Sequence, residues 1–129
     1  KESYFNSLNQ KVEDLGLSNN ITFTGSRNDI NNIYKISDIV FNLSTKPEPF
    51  VRTTIEAISC GSKFIGWDHG GTKEILDELY PDGLVNLGDI KQLKERVIKI
   101  SDKINISIII VSVWHIIFRT LTLITVSSC

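Results

Sequence analysis

Apolar positions recur along the first hundred residues in two alternating rhythms. Tyr4, Phe5, Leu8, Val12 and Leu15 fall at three- and four-residue spacing and stop at Gly16, which predicts an amphipathic helix with a glycine near its C-terminal cap. Residues 20–24 place Ile21 and Phe23 between polar neighbours, as a short strand does, and Ser26 or Asn28 is positioned to cap a helix carrying Ile30, Ile33, Tyr34 and Ile36. Residues 38–43 read as a buried strand, 52–60 as a helix ending at Gly61, and 63–67 as another apolar strand. A Gly70-Gly71 turn leads into a short helix with Ile75, Leu76 and Leu79. Residues 84–87 make a last strand, and Asp89 can cap a helix carrying Ile90, Leu93, Val97 and Ile100.

Strands separated by helices of this length imply βαβ units, whose crossovers are right-handed and whose sheet is parallel. The expected fold is therefore α/β, a Rossmann-like parallel sheet with helices on both faces. In such sheets ligands gather beyond the carboxyl ends of the strands, where loops enter the next helix. That directs attention to the loop after Leu43.

Composition narrows the partners. The 129 residues allow one ordinary domain, and 14 Lys and Arg against 15 Asp and Glu leave a net charge of -1, with no basic field for nucleic acid. Cys60 and Cys129 are too far apart in sequence for a CxxC site, and two cysteines make no disulfide framework, so a reducing compartment is expected. The opening KESYFNSLNQ has neither an apolar run nor an initiator Met, and the chain is expected to begin inside a longer protein.

Charge also divides the chain. Of its 29 charged residues, 28 lie in positions 1–103 and only Arg119 in the last 26. Residues 104–129 hold eight Ile, three Val and three Thr, a β-branched content suited to strands or lipid. A membrane span there would bury His115 and Arg119 in hydrocarbon at a high cost, so contact with a membrane stays open, as does a buried strand pair. The abrupt loss of Lys, Glu and Asp after Lys103 points to a third origin, a shifted reading frame. The expected units are residues 1–103 and an unassigned apolar tail, 104–129.

The loop and helix STKPEPFVRTTIEAISCG (44–61) place Glu48 before the helix and Glu56 inside it, with seven residues between. A helix starting near Arg52 aims its unpaired N–H groups into the cleft, where they suit a phosphate or diphosphate without a metal. Glu56, about one turn inside, can accept two hydrogen bonds from a ribose diol, and Glu48 can face sugar hydroxyls beyond the phosphates. Spacing alone equally allows Glu48 to sit near the positive helix end and Glu56 to pair with Arg52.

The longer stretch EPFVRTTIEAISCGSKFIGWDHGGTKEIL (48–76) resembles the signature of the C-terminal, nucleotide-sugar-binding domain of family 4 glycosyltransferases, one half of the GT-B fold. LGLSNNITFTGSRNDINNIYKISDIVFNLS (15–44) and DGLVNLGD (82–89) resemble the family's flanking elements, so the similarity runs from about Tyr4 to Lys99. The resemblance implies that Glu48 contacts the donor sugar as the catalytic carboxylate and that Glu56 holds the ribose. It assigns the diphosphate to backbone N–H groups of Phe50, Val51 and Arg52, since Pro49 has none. Val51 stands where the family usually has Gly.

By the same resemblance the parent reaction is transfer of a hexose from a nucleoside diphosphate sugar to an acceptor hydroxyl in polysaccharide or glycoconjugate synthesis. It runs with retention, without metal or other cofactor, at the cytoplasmic side, with a place at the inner face of the membrane left open. No Asp-x-Asp triplet occurs in the chain. The family's diphosphate-neutralising Arg and Lys would lie upstream of Lys1, and the acceptor-binding N-terminal Rossmann-like domain is a required partner, so this piece is expected to be inactive alone. The rival reading is a non-catalytic Rossmann-like module that binds a nucleotide or a partner protein. His69, beside the glycine turn, reads as a surface loop residue, and Gly70, Gly71 and Glu74 match the family's GG-x-x-E turn.

Overall fold

A computed structural model describes residues 2–25, 27–46, 51–103 and 109–112. Helix α1 (Glu2–Asp14) precedes α2 (Ile30–Ile36), strand β1 (Ile39–Asn42), α3 (Arg52–Ser59), β2 (Lys63–Trp67) and α4 (Gly70–Leu79). A 3-10 turn (Pro81–Gly83), β3 (Leu84–Val85), α5 (Ile90–Ser101) and β4 (Ile109–Ser112) complete the order. The four strands form one parallel sheet, ordered β3-β2-β1-β4.

Both faces of the central strands are covered, which is why they read as continuous apolar runs rather than alternating ones. Val40 and Phe64 join Ile33, Tyr34, Ala57 and Leu76 from α2, α3 and α4 in one core cluster. Ile39, Phe41, Ile65 and Trp67 point the other way and pack with Val85 and Ile100, flanked by Leu93 and Val97 of α5. Helices on both faces of a parallel sheet are thus present as the alternation implies.

Local signals set most element ends. At α3, Gly61 adopts φ +89°, and Ser62 N–H reaches Ala57 O at 3.2 Å while Gly61 N–H reaches Ile58 O at 2.9 Å, a Schellman closure. The same pair of bonds closes α1 at Gly16. At α5 the Asp89 carboxylate accepts from Gln92 N–H at 2.9 Å, and the Gln92 side chain accepts in return from Asn86 N–H at 2.6 Å.

Three sequence expectations change. Residues 20–24 form no strand, because an alternating pattern becomes a strand only beside a ladder partner, and this segment pairs with none of the described strands. Phe23 instead meets the Phe5 ring edge-on, with centroids 5.3 Å apart. The cap of α2 falls to Asp29 rather than Asn28, and Asp29 makes no side-chain cap bond because its carboxylate is held by Arg27 at 2.6 and 2.8 Å. Ser26 lies outside the described residues. The strand expected over 84–87 ends at Val85, leaving Leu87 exposed.

Within the apolar tail, Ile109–Ser112 pairs with Ile39–Asn42 in parallel, so these four residues join the sheet. Residues 104–108 and 113–129, and with them the span, strand-pair and reading-frame alternatives, lie outside the described residues. No described helix is long and apolar enough to cross a membrane.

Candidate functional site

The carboxyl ends of β1 and β2 and the N-termini of α3 and α4 meet at one end of the sheet. Parallel strands make this unavoidable, since each strand must run into the helix that follows it. The two helices start without side-chain caps: Val51 before α3 and His69 before α4 make none. α5, which follows β3, is capped by Asp89. First-turn N–H groups with no side-chain partner, aimed at one cleft, are the usual way a helix terminus receives an anion.

Cross-strand hydrogen bonds stiffen the rim. Trp67 Nε1–H donates to Leu43 O at 3.1 Å, tying the end of β2 to the segment after β1. His69 Nε2 lies 2.9 Å from Ser44 O. A carbonyl only accepts, so Nε2 is the donor in this contact. Ser44 N–H is taken by Asn42 Oδ1 at 3.2 Å, and Asp68 N–H by Val85 O at 2.7 Å. Asn42, Ser44, Lys46, Trp67, His69 and Thr72 enclose a hollow of about 10 Å³, room for one water. His69 is thus half-buried at this rim rather than on open surface.

Among the residues picked out by sequence, Arg52 and Glu56 lie on successive turns of α3 and form an ion pair at 3.5 Å. Arg52 is largely exposed and Glu56 half-buried. Val51 is 1% exposed, with φ -100° and ψ 78°, so no backbone constraint at this position demands glycine. Glu48 and Phe50 lie outside the described residues, as do Pro47 and Pro49. Asn42, Ser44, Lys46, Trp67 and Thr72 had no sequence signal as a group, because they come from three separate segments. The Trp closing an apolar strand was the one available hint.

Tyr34 of α2 packs under α3, fully buried, and its hydroxyl has no hydrogen-bond partner among the described residues. Burial pushes its pKa up, and the nearby Glu56 carboxylate and the Cys60 thiol push it further. The folded state therefore favours the neutral phenol, while unfolded tyrosine ionises near pH 10. This contribution to stability is intact below about pH 10 and falls as pH rises above it. Tyr80, raised by burial and then by Asp82, acts in the same sense. Tyr34→Phe is expected to make the alkaline loss shallower, leaving the parts due to Tyr80 and to Lys73, which Asp68 raises, and, by removing an unpaired buried hydroxyl, to add about 1 kcal/mol at neutral pH. Urea unfolding on both sides of pH 10 checks this; a variant with the parental alkaline slope contradicts it.

Comparison with known proteins follows the same ground. The family model "Glycosyl transferases group 1" matches residues 1–105. Mannosylfructose-phosphate synthase of Agrobacterium fabrum is 38% identical over 68 residues, covering 51% of this chain and 15% of that protein. N-acetyl-alpha-D-glucosaminyl L-malate synthase of Bacillus anthracis is 27% identical over 96 residues, covering 74% and 25%. Two crystal structures of Anabaena HepE superpose on the fold. The complex with UDP does so at TM-score 0.69 and 30% identity, over 79% of this chain and 28% of HepE. The complex with UDP-glucose does so at TM-score 0.71 and 32% identity, over 80% and 29%. The chain thus spans less than a third of each of these proteins.

Proposed function

We propose, from the premise that this chain belongs to the glycosyl transferases group 1 family, that residues 1–103 are the donor-binding half of a GT-B glycosyltransferase. The observation that carries this reading is the meeting of two helix N-termini, both without side-chain caps, at the carboxyl ends of β1 and β2. Such a place suits the diphosphate of a nucleoside diphosphate sugar. HepE, which has the same fold over this region, has been crystallised with UDP and with UDP-glucose.

In this reading the N–H groups of Phe50, Val51 and Arg52 hold the diphosphate, Glu56 accepts from the ribose hydroxyls, and Glu48 meets the hexose as the catalytic carboxylate. Two carboxylates each accept bonds from a pair of vicinal hydroxyls, while the helix end takes the negative charge between them, so no metal is required for binding. The hexose is then passed to an acceptor hydroxyl in polysaccharide or glycoconjugate synthesis, on the cytoplasmic side at the inner face of a membrane. Transfer needs the acceptor held against the donor by a second, N-terminal Rossmann-like domain, so this chain binds the donor and does not turn it over.

Titration calorimetry of the full chain with UDP, GDP and their sugars tests the reading. Saturable heat with at least one nucleotide sugar, and no sugar release by the chain alone, is the expected result. Absence of heat with every donor at millimolar concentration removes it.

A further inference from the structure

A second cavity lies at the opposite end of the sheet. β2 runs from Lys63 to Trp67, four steps of about 3.3 Å, so Lys63 stands roughly 13 Å from the rim described above. There Lys63, Tyr80, Asp82, Arg96, Lys99 and Lys103 line a space of about 180 Å³. Drug-sized ligands occupy about 300–1,000 Å³. This space takes a small group, not a nucleotide sugar.

Its charge is the informative feature. Four basic side chains and one carboxylate line the cavity. Cations are common at helix C-termini, and α4 and α5 both end here, each end equivalent to roughly half a negative charge. Those two ends together with Asp82 offset about two positive charges, which leaves about two more unbalanced. Among the described residues, no carboxylate lies within 4.0 Å of the ammonium groups of Lys63, Lys99 or Lys103. Lys63 Nζ instead stands 5.6 Å from the centroid of the Tyr80 ring, at the cavity wall.

Arg96 is held but not saturated. Its side chain is 20% exposed, and it donates to Asp82 Oδ1 and to Leu84 O, both at 3.4 Å. Bonds of that length are weak, and a guanidinium has further N–H donors in the same plane. A planar fork with spare donors, flanked by two lysines and an aromatic wall, is the arrangement that receives a tetrahedral oxyanion.

We propose that this cavity binds a small phosphate-bearing anion at a site separate from the donor cleft. The bound group is a free phosphate or diphosphate, or the phosphomonoester headgroup of a lipid; both present the same oxygens to Arg96 and the lysines.

The test titrates the full chain with pyrophosphate and, separately, sediments it with phosphatidylcholine vesicles with and without phosphatidic acid. The wild type is expected to bind at least one of the two probes, with affinity falling as salt rises. Arg96→Gln combined with Lys99→Gln is expected to weaken that binding at least tenfold, whereas Lys99→Arg keeps it. Binding of pyrophosphate without vesicles identifies a soluble anion as the ligand, and recruitment to phosphatidic acid that the double variant loses identifies a headgroup. UDP titrated into the double variant is expected to behave as with wild type, and circular dichroism confirms the fold. A wild type that binds neither probe, or a double variant that binds as well as the wild type, overturns the proposal. Failure of UDP to bind at all would strike the donor-cleft reading and leave this one standing.

Discussion

Gly83→Ala is expected to destabilise the fold by about 2–3 kcal/mol, the upper part of the range for overpacked interiors. Gly83 ends the 3-10 turn and leads directly into β3. A methyl group built there falls on the Phe64 carbonyl oxygen and comes within 2.8 Å of Tyr80 Cδ1. The tyrosine ring can swing aside, but Phe64 O is backbone of β2, where Phe64 pairs with Val40 of β1 two residues before the β3 ladder begins at Gly66, and it cannot move without disturbing that pairing. The added side chain therefore pushes the turn outward, and with it the pairing of Leu84 and Val85 to Gly66 and Trp67. Thermal unfolding should show a midpoint lowered by roughly 8–15 °C. A variant melting with the wild type would mean that the turn does not press on β2.

Glu56→Ala is expected to weaken UDP and UDP-glucose binding together, by at least about 100-fold, while leaving thermal stability nearly unchanged. Two charge-assisted hydrogen bonds to a ribose diol, each worth about 1.5–3 kcal/mol, are lost together, and about 1.4 kcal/mol corresponds to tenfold in affinity. Stability changes little because the only ion pair involving Glu56 among the described residues is the half-exposed one to Arg52 at 3.5 Å, worth some 0.2–0.5 kcal/mol. Glu48→Ala separates the two carboxylates. If Glu48 meets the hexose, its removal weakens UDP-glucose and spares UDP. Calorimetry on the full chain reads both variants, and equal affinities for wild type and Glu56→Ala would end the assignment of that residue.

These two residues differ in how visible they are before folding. Glu56 belongs to a spaced pair with Glu48 inside one continuous segment, and the surrounding stretch resembles a known family. Gly83 looks like an ordinary turn glycine in Pro-Asp-Gly. Its importance comes from the Phe64 carbonyl, nineteen positions earlier in the chain.

The same contrast runs through the molecule. Helix ends at Gly16, Gly61 and Asp89 are legible because each motif is completed by residues within six positions of one another, and such bonds form whenever that short segment folds. The parallel sheet was legible as well, since strands buried on both faces must be apolar throughout and helices must fill the crossovers. Residues 20–24 had the pattern of a strand and lack its structure, because pairing is a property of two segments and among the described residues none pairs with them. The start of α2 after Asp29 rather than at Asn28 was not legible either, and the Asp29 carboxylate goes to Arg27 instead of to the helix end.

The amino-acid sequence by itself determined the alternation of helices and strands from α2 to α5, the closures at Gly16, Gly61 and Asp89, and the segment in which donor chemistry is expected. Tertiary structure alone decided that His69 reaches the Ser44 carbonyl, that Trp67 ties two strand ends together, that residues 109–112 enter the sheet beside β1, and that Lys63, Arg96, Lys99 and Lys103 line one cavity. The physical reason is range. Capping and periodicity act over one or two turns of chain, whereas clefts, edges and charge clusters arise where distant segments are brought together by burial of a shared apolar core.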